Sequence, residues 1–272
     1  MGKCMVLIIT LLGLLASVIG LSLYFRKVKR NQTPKKPVAL YTGLWLGIAI
    51  GSYGVVLASA ESTVAIVLSA LPLFLALFFF SVLTFFLIQK KPPLGDIKIK
   101  VGDSMLPFNV KNHSNEDFSS EQFIGKRTLF KFYRGSWCPY CGAELQMFAD
   151  LQPQLDQYGV NIIAISGDTV EQAHLHVKRD ALPITLLSDP TLNIVRQYGV
   201  EHHKALGADS QKVFKLFGLS VPGGFVSYRS MAIPTTILID EQGIVRWIDQ
   251  SDDYRLRASK DKVLGAVNRI FS

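Results

Sequence analysis

The chain has 272 residues, a formal net charge of +8 and a mean hydropathy of +0.27, which is longer and more apolar than one ordinary soluble domain. Residues 1–92 hold nine Lys or Arg (Lys3, Arg26, Lys27, Lys29, Arg30, Lys35, Lys36, Lys90, Lys91) against one acid, Glu61, so the whole excess lies there and residues 93–272 balance. A basic excess bordering apolar runs marks membrane orientation rather than a phosphate-binding face, which excludes nucleic acid as a partner, and three cysteines are too few for a disulfide scaffold.

Residues 5–25 are apolar or small throughout, and 21 residues at 1.5 Å rise reach about 30 Å, the thickness of the hydrocarbon core. Residues 38–60 and 64–88 repeat the pattern, separated only by a short loop at Glu61, so they predict a helical hairpin. Three transmembrane helices in residues 1–92 form the expected anchor, with membrane lipid as a partner. A cleaved signal peptide is the competing reading of the first run. That run is longer than the usual 7–15 apolar residues and leads into Arg-Lys-Val-Lys-Arg without a small-x-small cleavage site. The segment 26–36 carries six basic residues and the Glu61 loop none, which places the basic loop in the cytoplasm. The hairpin returns the chain to that side, so the C-terminal part is expected to be cytoplasmic as well; an extracytoplasmic placement is the alternative. Pro92-Pro93-Leu94-Gly95 cannot continue the third helix, and the second domain is read as 93–272.

Within that domain TLFKFY (128–133) reads as a strand that runs into Cys138-Pro139-Tyr140-Cys141, and residues 143–158 show helical apolar spacing. Val160–Ser166 reads as a buried strand, Val170–Asp180 as a helix, 184–187 as a short strand and 191–198 as a helix. Residues 237–240 and 244–248 read as an antiparallel hairpin across Glu241-Gln242-Gly243, followed by a closing helix at Lys260–Phe271. The expected class is α/β, a mixed sheet flanked by helices in thioredoxin-like order. Residues 201–231, with Gly207, Gly218 and Pro222-Gly223-Gly224, read as a loop and short helix near the site.

A thiolate is the attacking species, and an ordinary cysteine with a pKa near 8.5 is mostly protonated at neutral pH. A cysteine at a helix start faces unpaired amides and the positive end of the dipole, and Pro139 suits the first helical position because it has no donor to waste. Cys138 is therefore the expected nucleophile. Cys141, one turn on, is the expected resolving thiol. Half of a zinc site is the alternative for C-x-x-C. A third suitable cysteine is lacking, and His113, His174, His176, His202 and His203 show no pairing with the motif, so no metal and no cofactor is expected. Ile233-Pro234 leads a late strand, as an ordinary trans proline would.

These features together resemble the peroxiredoxin-like branch of the AhpC/TSA group in the thioredoxin superfamily. The resemblance covers roughly residues 100–250 and is carried by VGDSMLPF (101–108), IGK (124–126), FYRGSWCPYC (132–141), AISGD (164–168), LLSDP (186–190) and IPTTILID (233–240). It implies that Pro234 is a cis-proline facing the cysteines and that Trp137 packs beside the nucleophile. It also implies what is missing: Gly135 stands where peroxiredoxins place a threonine or serine, Lys131 where they place a proline, and Pro234 where they carry an arginine. Arg134 is the candidate substitute, and a solvated charge is its plainer reading. Phe132 occupies the place of thioredoxin's buried acid, so proton transfer needs another group. The first expectation is a membrane-anchored thiol–disulfide oxidoreductase acting on protein or small-molecule disulfides. The second is a thiol peroxidase acting on hydroperoxides with a thiol reductant, and the third a non-enzymatic redox sensor.

Overall fold

The structure is a computed structural model that describes residues 3–94 and 97–272; Gly95 of the helix-ending tetrapeptide lies outside the described residues. The chain forms two compact units, residues 1–28 with 33–89, and 29–32 with 90–272.

The first unit is built from α1 (Lys3–Lys29), α2 (Val38–Ala58) and α3 (Thr63–Ile88), each long and apolar enough to cross a membrane. Small residues set the packing of α1 on α2. A Cβ at Gly43 would come within 2.7 Å of the Gly20 Cα, and one at Gly47 within 2.7 Å of the Gly13 carbonyl oxygen, so the backbones approach as only glycine permits. The Ser62 hydroxyl caps α3 by accepting from the Ala65 amide at 3.3 Å.

The second unit contains β1 (Asn109–Asn112), β2 (Asp117–Ser119), β3 (Arg127–Phe132), α4 (Pro139–Leu155), β4 (Val160–Ser166), α5 (Val170–Asp180), β5 (Thr185–Ser188) and α6 (Asn193–Gln197). It continues with β6 (Glu201–Ala208), β7 (Val213–Leu216), β8 (Leu219–Pro222), β9 (Val226–Ala232), β10 (Thr235–Ile239), β11 (Val245–Gln250) and α7 (Lys260–Phe271). Seven strands form one mixed sheet in the order β11-β10-β3-β4-β5-β1-β2, in which β3, β4 and β5 run parallel. This is the thioredoxin-like α/β arrangement. Alternation along β3 sends Leu129 to one core, with residues of α4, α5 and α7, and Phe130 and Phe132 to the other, with Phe108, Phe118, Phe123 and Tyr198. Helix α5 is held at its start by a capping box between Thr169 and Gln172 and stops at Ala181 in the left-handed region. The β10–β11 turn is tied by Asp240, whose carboxylate accepts from the Gln242 and Ile244 amides at 3.0 and 2.9 Å.

Two expectations are corrected. No peptide bond among the described residues is cis, so Ile233–Pro234 is trans, against the geometry the resemblance implied. The Ile233 amide donates to the Val200 carbonyl at 2.7 Å, and β9 passes into β10 across two residues, a path the favoured trans isomer satisfies. Residues 201–231 are not a loop and short helix. They form two antiparallel ribbons, β6 with β9 and β7 with β8, whose ladder hydrogen bonds satisfy the backbone that the glycines had suggested was irregular.

Candidate active site

Strand β3 ends at Phe132, and the chain turns through residues 133–137 to deliver Cys138 as the N-cap of α4, with Pro139 as its first residue. The turn is fixed by Asp168, the last residue of the AISGD motif, whose Oδ2 accepts from the Ser136 amide at 2.8 Å. Its Oδ1 accepts from the Ser210 hydroxyl at 2.5 Å, and Arg179 donates to the Ser136 carbonyl at 2.8 Å. Gly135 sits at φ +146°, and a Cβ there would come 2.7 Å from the Trp137 Nε1. The threonine of the family pattern therefore has no room at this position while Trp137 keeps its place.

Both thiols are free and buried, at 1% and 0% exposure for Cys138 and Cys141. The two are hydrogen-bonded to one another. Burial opposes ionisation of Cys141, but the hydrogen bond from Cys138, the Arg257 guanidinium and the Arg134 amide and guanidinium outweigh it and hold that thiol well below its ordinary value. Burial, and next to it the partner sulfur, push Cys138 up. The helix N-terminus lies at one sulfur and Arg257 at the other.

Behind Cys141 lies a polar cluster that sequence reasoning did not single out as a site. Glu144, one turn further along α4, is fully buried and accepts from the Lys131 Nζ at 2.8 Å. Lys131 also donates to the Thr236 hydroxyl at 3.0 Å. Arg257 Nε lies 2.8 Å from the other Glu144 oxygen as an ion-pair contact rather than a directed hydrogen bond, and its Nη2 reaches the Cys141 sulfur at 3.6 Å. Burial pulls the Lys131 ammonium below its ordinary value, and Glu144 opposes that pull. Glu144 is a buried acid next to Cys141, in a different place from the one Phe132 occupies.

Arg134 is not a solvated charge. It is 6% exposed, donates to the Leu206 carbonyl at 2.6 Å and stacks over Tyr254 and Trp137 at 4.1 and 5.1 Å. A cavity of about 70 Å³ opens beside it, walled by Trp137, Asp168, Ser210, Arg229 and Met231. The ribbons cover the thiols here, since Ala205, Ala208 and Met231 pack in one cluster with both cysteines. Pro234 is buried at the β9–β10 junction, and Thr236 after it reaches Lys131. Among the histidines, His176 is buried with its Nε2 3.3 Å from Asp180, and His202 is pushed down to about 4 by burial, with Arg134 adding to the effect. Among the described residues, no group of three or more His, Cys, Asp or Glu is placed to hold a metal.

A dithiol at the start of a helix on a thioredoxin-like sheet defines a thiol-dependent redox protein. The chain matches the AhpC/TSA family over residues 101–248. It is 30% identical over 149 residues to a bcp peroxiredoxin of Coxiella burnetii, an alignment covering 55% of this chain and 87% of that protein. With peroxiredoxin Bcp of Escherichia coli K12 it is 29% identical over 107 residues, covering 39% and 69%. Among solved structures, reduced Prx3 from Vibrio vulnificus superposes with a TM-score of 0.51 at 18% identity, over 62% of this chain and 99% of that one, a likeness of fold. This chain belongs to the AhpC/TSA family and is a thiol-dependent oxidoreductase of the peroxidase kind. The match shifts the balance between the two enzymatic expectations from disulfide exchange toward peroxide reduction.

Proposed function

We propose that the chain is a membrane-anchored thiol peroxidase in which Cys138 attacks a hydroperoxide and Cys141 resolves the resulting sulfenic acid to a disulfide. The likeness to peroxiredoxins, together with a small cavity walled by Arg134 and Trp137 beside the cysteine motif, carries this reading. Cys138 is 1% exposed beneath Met231 and the β6–β9 ribbon, so a small hydroperoxide needs less opening of the cover to reach it than a protein disulfide does. Arg134 supplies the guanidinium that the family pattern carries at the position of Pro234. Its hydrogen bonds and stacking fix it beside Trp137, next in sequence to the attacking cysteine. Trp137 walls the cavity and Pro139 starts the helix whose amides face Cys138. An external thiol reductant returns the disulfide to dithiol after the cover opens locally.

Disulfide exchange is the second reading, supported by the Cys-Pro-Tyr-Cys spacing and by Gly135 and Pro234 in the places of the family's threonine and arginine. The two separate in the dithiol form of the full chain carrying Cys4→Ser in detergent, treated with hydrogen peroxide or a model disulfide at matched concentration. Intact mass after alkylation is expected to show the Cys138–Cys141 disulfide forming far faster with the peroxide. A prompt reaction with the model disulfide and sluggish oxidation by peroxide reverses the assignment.

The reading places residues 1–92 in the membrane as three spans and the redox domain, residues 93–272, on the cytoplasmic side, supported by six basic residues in segment 26–36. Protease accessibility in sealed vesicles of known orientation tests that placement. Cleavage of the redox domain only from the opposite side overturns it.

A further inference from the structure

Arg257 Nη2 reaches the Cys141 sulfur at 3.6 Å, with the Cys138 thiol and the Arg134 guanidinium beside it. A guanidinium on a buried sulfur favours the thiolate over the neutral thiol. The surroundings fit the same charge. Lys131, Glu144 and Arg257 have side chains 2%, 0% and 2% exposed, so two cations and one carboxylate are sealed together, one positive charge in excess. The groups facing Cys141 are the Cys138 thiol on α4, Lys131 on β3, the Arg134 guanidinium and the Tyr133 phenol after it, Glu144 on α4 and Arg257 ahead of α7. Among them Glu144 is the only carboxylate.

From this geometry we infer that Arg257 is a further catalytic residue, the counter-cation of a resident Cys141 thiolate, and that Cys141 serves as proton donor in the first step and as nucleophile in the second. The inference deepens the peroxidase reading and rests on it. In the resting pair the Cys138 thiol donates to the Cys141 thiolate. Transfer of that proton along the hydrogen bond makes Cys138 the thiolate. It attacks the hydroperoxide's terminal oxygen, the O–O bond breaks, and the departing alkoxide takes the proton from Cys141. The products are the Cys138 sulfenic acid, an alcohol and a Cys141 thiolate again held by Arg257. Cys141 then attacks the sulfenic sulfur; the S–S bond forms, the S–O bond breaks, and the departing hydroxide takes one proton from solvent to become water. Glu144 and Lys131 are positioning residues that keep Arg257 aimed at the sulfur.

The test is a titration of thiolate ultraviolet absorbance on the full chain in detergent, in a Cys4→Ser and Cys138→Ser background in which Cys141 is the sole thiol. The midpoint is expected below the free-cysteine value of about 8.5, to rise above it when Arg257→Met is added, and to stay low with Arg257→Lys. A midpoint at or above the free value with Arg257 intact overturns the proposal even if Arg257→Met fails to fold. A low midpoint that Arg257→Met leaves in place overturns the role of Arg257. Peroxide turnover of the unmutated chain is the separate control. A low, Arg257-dependent midpoint in a chain that ignores peroxide removes the peroxidase reading and the proton-donor step with it, while Arg257 keeps its thiolate.

Discussion

The two faces of β3 are built on opposite principles. On one, Phe130 and Phe132 join Phe108, Phe118, Phe123 and Tyr198 in a core of aromatic rings at edge-to-face and stacked distances, such as 5.3 Å between Phe123 and Phe130. On the other, Lys131 lies between Leu129 and Tyr133 and points with them toward α4, where Glu144 and Arg257 meet it beneath the cysteines. One strand of six residues therefore supplies a dry wall to one side and a charged floor to the other. The first face holds the sheet together; the second spends stability on keeping charge next to two sulfurs.

The contrast predicts how each face breaks. Phe130→Ala should cost about 3–5 kcal/mol through the cavity it leaves, with thiol titration unchanged in the folded fraction. Glu144→Leu should cost about as much, 3–5 kcal/mol, for a different reason: it leaves two buried cations without their carboxylate. Replacing the cluster together, as Lys131→Met with Glu144→Leu and Arg257→Met, should be neutral or stabilising by about 1–4 kcal/mol while peroxide turnover falls. Denaturant unfolding of the full chain in detergent measures all three. A triple variant less stable than Glu144→Leu alone would mean that the charges hold the fold rather than serve the thiols.

A smaller effect is expected where the two faces join, at the turn into α4. Gly135→Thr restores the residue of the family pattern, yet it forces a β-branched side chain to φ +146° and into the Trp137 ring. A cost of about 1–3 kcal/mol is expected, together with slower sulfenic acid formation as Trp137 leaves the cavity wall. A faster reaction would show that the missing threonine limits this enzyme and that the Arg134 side of the pocket does not replace it.

The aromatic face was far more legible in the sequence than the charged one. Val160–Ser166, Val170–Asp180 and Lys260–Phe271 have in the structure the boundaries the sequence predicts, because apolar runs and helical periodicity are local signals. Cys138 as a helix cap with Pro139 after it was equally local. Lys131 carried a half-visible signal, since it keeps the alternation of a strand otherwise filled with buried residues. Glu144 carried another, one turn beyond Cys141. Arg257 carried none, because its meaning depends on a segment 116 residues from Cys141 folding back onto it. The β6–β9 and β7–β8 ribbons were hidden for a related reason. Exposed Phe214, Leu216 and Tyr228 break the inside-outside alternation by which strands are recognised, and the glycines between them resemble a loop.

The smallest effect expected belongs to a second polar cluster on the cysteine-bearing side, at the end of α5. Burial opposes ionisation of Asp180, but hydrogen bonds from His176, Arg179 and Lys215 outweigh it and hold the carboxyl well below its ordinary range. A depressed folded-state value means that the group adds stability above its unfolded value of about 3.9, and that this stability is lost as the pH falls through the folded value. Lys215 is 42% exposed and reaches Asp180 at 2.6 Å from β7, so the same interaction ties the β7–β8 ribbon, whose Val213 packs against the cysteine cluster, to α5. Acidification below about pH 4 should therefore favour opening of the β7–β8 ribbon before the aromatic core gives way, since the opened state takes up a proton on Asp180 that the closed, ion-paired state refuses. Thiol alkylation of the full chain across this range, with and without Asp180→Asn, reads the difference. The unmutated chain should gain accessibility as the pH falls, while the Asn variant should start more accessible and change less. Equal slopes would place the acid-sensitive step elsewhere than Asp180.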